Sequence, residues 1–268
     1  MKLPALVILS LVASLAAPQA RAQARFEGSY TLSMAGIPVG KLTWSTQFSA
    51  SDYVAKTSGH ASGLLSLLVS GEGRATVRGL LREGRAQPSS FDSAVDRVDE
   101  KTAVHITFEA GRVRDLKVEE PTPESDRVPI QDAHKIDVVD PFSALLIPAG
   151  DADPLAPAAC ARVLAIFDGR RRYDIALSFR RIDKALPEKG YQGPALVCGM
   201  KFTPMSGHRR SSPLVKFLSE ERDIEAWFVP IKGTKLLAPV RMSVASAIGN
   251  LVLRADTFEI GEAALPVR

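Results

Sequence analysis

Short runs in which bulky apolar residues alternate with small or polar ones recur along this chain at roughly ten-residue spacing. That rhythm leaves it few folds other than an antiparallel sheet. Phe26–Met34 alternates first, and Val39–Phe48 repeats the pattern through Leu42, Trp44 and Thr46 after a turn at Gly36-Ile37-Pro38. Further candidates are Tyr53–His60, Arg74–Leu81, Val104–Phe108 and, beyond Gly111, Val113–Val118. Later come Val163–Phe167, Arg172–Phe179, Pro194–Phe202, Asp223–Val229, Pro239–Ala247 and Leu251–Ile260. Asp168-Gly169 between two apolar runs predicts a tight type I′ hairpin turn, since both residues tolerate positive φ. Residues 119–135 hold three prolines and several charges and read as a loop. Asp140-Pro141-Phe142-Ser143-Ala144-Leu145-Leu146 predicts a short helix, with Asp140 as N-cap and Pro141 at the first helical position. The expected class is all-β: a single curled antiparallel sheet, spiral or open barrel-like, with one or two short helices.

The first 24 residues predict where the chain works. Met1-Lys2 precedes an apolar run from Leu3 to Ala17, followed by Pro18-Gln19-Ala20-Arg21-Ala22-Gln23-Ala24. Small residues stand where a signal peptidase needs them, for cleavage before Gln23 or before Arg25. The run is shorter than the roughly 20 residues that span a bilayer, so an export signal is expected rather than an anchor. No cysteine lies near the cleavage site, which argues against a lipid-anchored form. The predicted division is a cleaved signal at 1–22 and one β-rich domain over 23–268, periplasmic and without a transmembrane segment.

Charge narrows the partners. The formal net charge is +4, but two of the 34 lysines and arginines, Lys2 and Arg21, fall in the signal. Their loss leaves 32 basic residues against 30 acidic ones. A nearly balanced chain lacks the basic footprint of a nucleic-acid binder. The only cysteines are Cys160 and Cys198. In an oxidising compartment an isolated pair forms a disulfide, here closing a loop worth about 4 kcal/mol by chain entropy. Two buried free thiols are the alternative.

No catalytic constellation stands out. His60, His105, His134 and His208 are scattered, with neither the i, i+4 spacing nor the Cys/Glu neighbours of a metal site, so no metal or cofactor is expected. His105, inside a strand, reads as a hydrogen-bonded structural histidine, and His208, beside Arg209-Arg210, as solvated. No Gly-x-Ser-x-Gly elbow is present, although a triad can assemble from distant residues. Gly71-Glu72-Gly73 lacks the third glycine and following helix of a dinucleotide loop and reads as a turn. Arg170-Arg171-Arg172 follows the Asp168-Gly169 turn as a solvated or phosphate-facing patch. Ala61–Ser70, with Leu64, Leu65, Leu67 and Leu68, is uncharged and bounded by glycines. It fits a buried core segment, or else an apolar flap over a ligand cavity or an edge that touches lipid.

Several segments together resemble one bacterial family. Tyr30 with Ala35-Gly36-Ile37-Pro38-Val39-Gly40, the Asp140–Leu146 run, Phe167-Asp168-Gly169-Arg170-Arg171-Arg172-Tyr173-Asp174, Cys198 and Pro239-Val240-Arg241 are similar to domain of unknown function 3108. The resemblance spans about Phe26 to Ile260. It implies an exported envelope protein of proteobacterial type, a curled antiparallel sheet loosely similar to periplasmic lipoprotein carriers, and no established activity or catalytic residues. The expected function is therefore non-catalytic binding of a lipid or other apolar ligand through a curled sheet. One alternative is a scaffold for an envelope protein or peptidoglycan, using Arg170–Arg172 and the 204–213 loop. A hydrolase with an assembled Ser, His and carboxylate site is the other.

Overall fold

The computed structural model describes residues 24–62, 71–97, 101–119, 126–220, 223–246 and 249–261. Strands dominate: β1 (Ala24–Met34), β2 (Ile37–Phe48), β3 (Asp52–Ala61), β4 (Gly71–Arg82), β5 (Arg85–Arg97), β6 (Lys101–Glu109) and β7 (Arg112–Glu119) form a meander. After α1 (Pro141–Ala144) and β8 (Ile147–Pro148) follow β9 (Arg162–Phe167), β10 (Arg172–Ala185), β11 (Lys189–Gly190) and β12 (Gly193–Ser206). Helix α2 (Pro213–Ser219) precedes β13 (Ile224–Pro230), β14 (Leu236–Val244) and β15 (Leu251–Gly261). All belong to one 15-stranded sheet in the order β7-β6-β5-β4-β3-β2-β1-β15-β14-β13-β12-β10-β9, with β8 and β11 attached to β14 and β15. The path is antiparallel and does not close, as the alternation predicted.

The tight turns sit where sequence alone gives a weak signal. Three hairpins turn through two residues that both have positive φ, as type I′ requires: Ala35-Gly36 (50° and 83°), Glu83-Gly84 (52° and 70°) and Ala110-Gly111 (48° and 76°). Asp168-Gly169 is not of this kind. Phe167 pairs with Arg172, so the loop has four residues. Asp168 holds it by accepting the amides of Arg170 (2.8 Å) and Arg171 (2.6 Å) through Oδ1. Asp provides this side-chain cap without needing a left-handed backbone.

Strand alternation divides the buried side chains into two cores. Ala195 and Val197 of β12 face an inner core with Phe26, Trp44, Phe48, Phe91, Ile106 and Phe258. Leu196 and Cys198, between and beside them, face an outer core with Ile147, Ala159, Cys160, Leu177 and Phe228. Cys160 and Cys198 are joined, with Cα atoms 5.6 Å apart, so the predicted disulfide staples the 149–160 segment over the outer face of β12.

Helix α1 is inserted in the inner core. Phe142 lies edge-on to Trp44 at 5.6 Å and tilted to Phe91 at 6.4 Å. Asp140 caps the helix as predicted, accepting the amides of Phe142 (2.9 Å) and Ser143 (3.1 Å). Residues 137–139 bridge the two ends of the sheet. The Val138 amide donates to the Gly111 carbonyl, and Val139 exchanges backbone hydrogen bonds with Ala165 and Phe167 of β9. The chain entering α1 thus spans the seam that the strands leave open.

Candidate functional site

A glycine-dependent approach of two loops builds a pocket on the outer face. Gly207 has φ of 77°, and a Cβ there would fall 1.9 Å from the Arg170 carbonyl oxygen. Only glycine lets the 207–212 loop sit this close to the β9–β10 loop. That loop is also clamped from the other side. The Val128 amide donates to the His208 carbonyl, Gly207 donates to Val128, and Arg127 donates to the Gly207 carbonyl at 2.5 Å. Asp126 accepts from the Ser211 hydroxyl (2.6 Å) and amide (3.1 Å). These bonds hold its carboxyl below the ordinary range, with Arg210 and Arg209 adding to the effect.

The result is a pocket of about 610 Å³ whose rim carries Arg97, Arg127, Arg170, Arg171, Arg209 and His208. Among the described residues lining it Asp168 is the acidic one, and that carboxylate already accepts two loop amides. The floor and one wall are apolar: Tyr173 packs on Phe202 with ring centroids 5.4 Å apart, and Ile175 continues the strand. Leu214, Val215 and Leu218 of α2 complete the wall. Burial, then the Asp168 charge, pushes the Tyr173 phenol up, so it stays a neutral hydrogen-bond donor. Chemically, the pocket offers several guanidinium forks for a carboxylate or phosphate beside an apolar surface.

The sequence-derived site residues separate here. Arg170 and Arg171 line the pocket with the 207–212 loop, whereas Arg172 begins the strand and pairs with Asp174 at 2.6 Å. The stretch carrying Leu64, Leu65, Leu67 and Leu68 lies outside the described residues. His105 bonds Asp92 at 2.6 Å, the structural role read from its strand position. His134 Nδ1 accepts the Gln131 amide, and His208 Nδ1 has no hydrogen-bond partner among the described residues. Neither histidine is hydrogen-bonded to a serine, and no group of three potential metal ligands occurs among the described residues.

A second polar cluster lies inside the curl. Asp140 is fully buried and accepts from the Ser143 hydroxyl as well as the two cap amides. Ser143 Oγ in turn lies 2.5 Å from the Tyr53 hydroxyl, anchoring α1 to β3. Burial outweighs these hydrogen bonds and pushes the Asp140 carboxyl up to about 6. Tyr30, equally buried, donates to the Pro239 carbonyl at 2.9 Å.

The segments carrying these features, from Tyr30 to Arg241, fall within the region matched by the family model "Protein of unknown function (DUF3108)", residues 29–256. The chain belongs to the DUF3108 family. No curated protein matches it. A crystal structure of a β-barrel-like protein of domain of unknown function DUF1849 from Brucella abortus is similar. It shares 9% identity over 90% of this chain and 99% of that one, with a TM-score of 0.47. In this DUF3108 chain, sequence reasoning had set the 204–213 loop, with Arg209, beside Arg170–Arg172, but it missed Arg97, Arg127 and the α2 wall, which converge only through chain reversal. Gly207, directly before the basic His208-Arg209-Arg210 run, was the one local hint.

Proposed function

We propose that this is an exported periplasmic envelope protein, a signal peptide at 1–22 followed by one β-rich domain, that binds an anionic amphipathic ligand without catalysis. The carrying observation is the outer-face pocket, where five arginines and His208 stand beside an apolar wall, with Asp168 the acidic residue among the described lining. Guanidinium groups gathered along one rim give it a positive potential that attracts an anionic head group. The wall of Tyr173, Phe202, Ile175 and α2 suits a hydrocarbon tail beside that head. The Cys160–Cys198 disulfide supports an oxidising compartment. The run with Leu64, Leu65, Leu67 and Leu68 remains a proposed further apolar contact for the ligand.

The test is native mass spectrometry of mature protein isolated gently from periplasm. A bound acidic lipid that is absent from the Arg171→Glu, Arg209→Glu variant is the expected result. A bare protein mass, with no acidic amphipath binding on addition, would overturn the reading. A scaffold role has one specific observation behind it. β10 extends past the β9 pairing, which ends at Leu177, and exposes Phe179 and Ile182 along that stretch. Charge reversal at Arg170 and Arg171 abolishing capture of an envelope protein, with no lipid bound, would favour it.

A further inference from the structure

Two turns meet at the C-terminal end of β1. The Ala35 amide donates to the Asn250 carbonyl at 3.0 Å. Gly249 has φ of 113°, and a Cβ there would fall 2.5 Å from the Ala35 Cβ. Glycine at this position lets the β1–β2 turn and the turn into β15 close one side of a pocket of about 620 Å³. Its floor carries Thr31, Ser33, Arg241 and Arg254. It shares no lining residue with the arginine pocket around Arg171.

Strand register puts two of its cations side by side. Directly opposed residues of antiparallel strands are neighbours on one face. Here Trp227, Arg241, Arg254, Thr31 and Lys41 follow one another across β13, β14, β15, β1 and β2. Arg241 is held from one side. Its guanidinium lies over the Trp227 ring at 4.4 Å, and the Trp227 indole N–H donates to Asp183 at 3.0 Å. That bond foremost holds the Asp183 carboxyl below the ordinary range, and the charges of Arg181 and Arg241 add to it. Arg241 Nε is nevertheless buried with no hydrogen-bond partner among the described residues. Arg254 is exposed and makes no ion pair or side-chain hydrogen bond among them. Asp256, two positions on, is engaged by Thr31 (2.6 Å) and Lys41 (3.1 Å). No carboxylate stands among the described residues that line the pocket. Like charges directly opposite each other destabilise a sheet, so folding alone does not favour this pairing.

We propose that Arg241 and Arg254 clamp the phosphate of a dianionic phosphate monoester. Guanidinium forks from two neighbouring strands match the oxygens of a phosphate, and its two charges offset both arginines. Stacking on Trp227 fixes one fork in advance, so less freedom is lost when it binds. Asn250, in the pocket lining, offers a further amide donor. The volume exceeds what a phosphate fills and leaves room for the group esterified to it. This site does not depend on the amphipath proposed above.

The experiment titrates isotope-labelled mature protein with glycerol 3-phosphate by NMR, at low ionic strength and mildly alkaline pH, where the monoester is a dianion. The backbone amides of Arg241, Asn250 and Arg254 and the Arg241 Nε–H are expected to shift together. Arg254→Gln should weaken this binding about tenfold or more. Arg82→Gln, which removes an exposed arginine of β4 outside the pocket, should leave it unchanged. Dimethyl phosphate, a monoanion of similar shape, should bind about tenfold more weakly than the dianion. A parallel arm sediments the protein with phosphatidylcholine vesicles containing phosphatidic acid, whose head group is the same monoester. Binding to either probe that is lost in Arg254→Gln upholds the clamp, and the probe that binds tells a lipid head group from a soluble ester. Equal affinity in Arg254→Gln, or equal affinity for dimethyl phosphate, overturns it. So do shifts confined to the pocket around Arg171, which would leave that other site standing, and so does binding of neither probe.

Discussion

The Tyr53–Ser143–Asp140 chain inside the curl and the arginine pocket outside it follow opposite rules. Inside, each polar group has a partner: Asp140 accepts three hydrogen bonds, and Ser143 joins it to Tyr53. Outside, five guanidinium groups and Asp168 are among the described residues that line one open pocket. The inner cluster is satisfied because water cannot reach it, and an unpaired buried group costs about 1–3 kcal/mol. The outer cluster gathers like charges at the surface, where solvent screens them. Burial with mutual hydrogen bonds marks the cluster that holds the fold together, and a solvent-open excess of positive charge marks the one proposed for binding.

The largest expected effect separates the outer core from the inner one. Replacing both cysteines by alanine should lower stability by about 4 kcal/mol, because the closed loop is long, with a sequence separation of 38. Hydrogen exchange should show the loss concentrated over 149–160 and β12, with the amides around α1 still protected. Uniform loss across both would show that the two cores unfold as one unit. Next comes Asp140→Ala, which orphans two amides and a hydroxyl in the inner core. It should cost about 3 kcal/mol in urea unfolding and leave ligand affinity at the arginines unchanged. A loss of affinity as large as the loss of stability would break the division drawn here.

Both clusters were partly legible in advance. Asp140-Pro141 is a local cap signal, readable because its partners are the next few residues. Its burial beside Tyr53, 87 positions away in sequence, depends on the β1–β7 meander rolling around α1. Strand alternation was legible because a half-buried strand writes it residue by residue. The type I′ turns at Ala35-Gly36, Glu83-Gly84 and Ala110-Gly111 were not fully legible, since alanine and glutamate rarely take positive φ. Arg170 and Arg171 stood out as a basic run. Arg97 and Arg127 did not, because single arginines on distant segments become a site only when Gly207 allows two loops to touch.

pH offers a graded test of the inner rule. The folded-state Asp140 carboxyl is raised to about 6 from an ordinary 3.8, so the folded protein holds its proton more tightly than the unfolded chain. Between those values the unfolded state binds fewer protons, and stability must fall as pH rises. The Asp140 contribution should be fully present below about pH 4 and decline by up to about 3 kcal/mol by pH 6, then level off. Asp140→Asn should flatten this slope while retaining the cap. An unchanged slope would assign it to other carboxylates.

The smallest stability change belongs to the outer cluster, and there the comparison is sharpest. Arg171 makes a 3.9 Å ion pair with Asp168 and is half exposed, so it contributes little to folding. Arg171→Gln should shift unfolding by less than about 0.5 kcal/mol. It should weaken an anionic amphipath about tenfold at low ionic strength, with a shrinking difference as salt screens the pocket. Titrating wild type and variant at two salt concentrations separates this from a packing effect, which salt would not move. If affinity is unchanged while stability drops, Arg171 belongs with the groups that hold the fold, and the division between the two clusters fails at an exposed arginine.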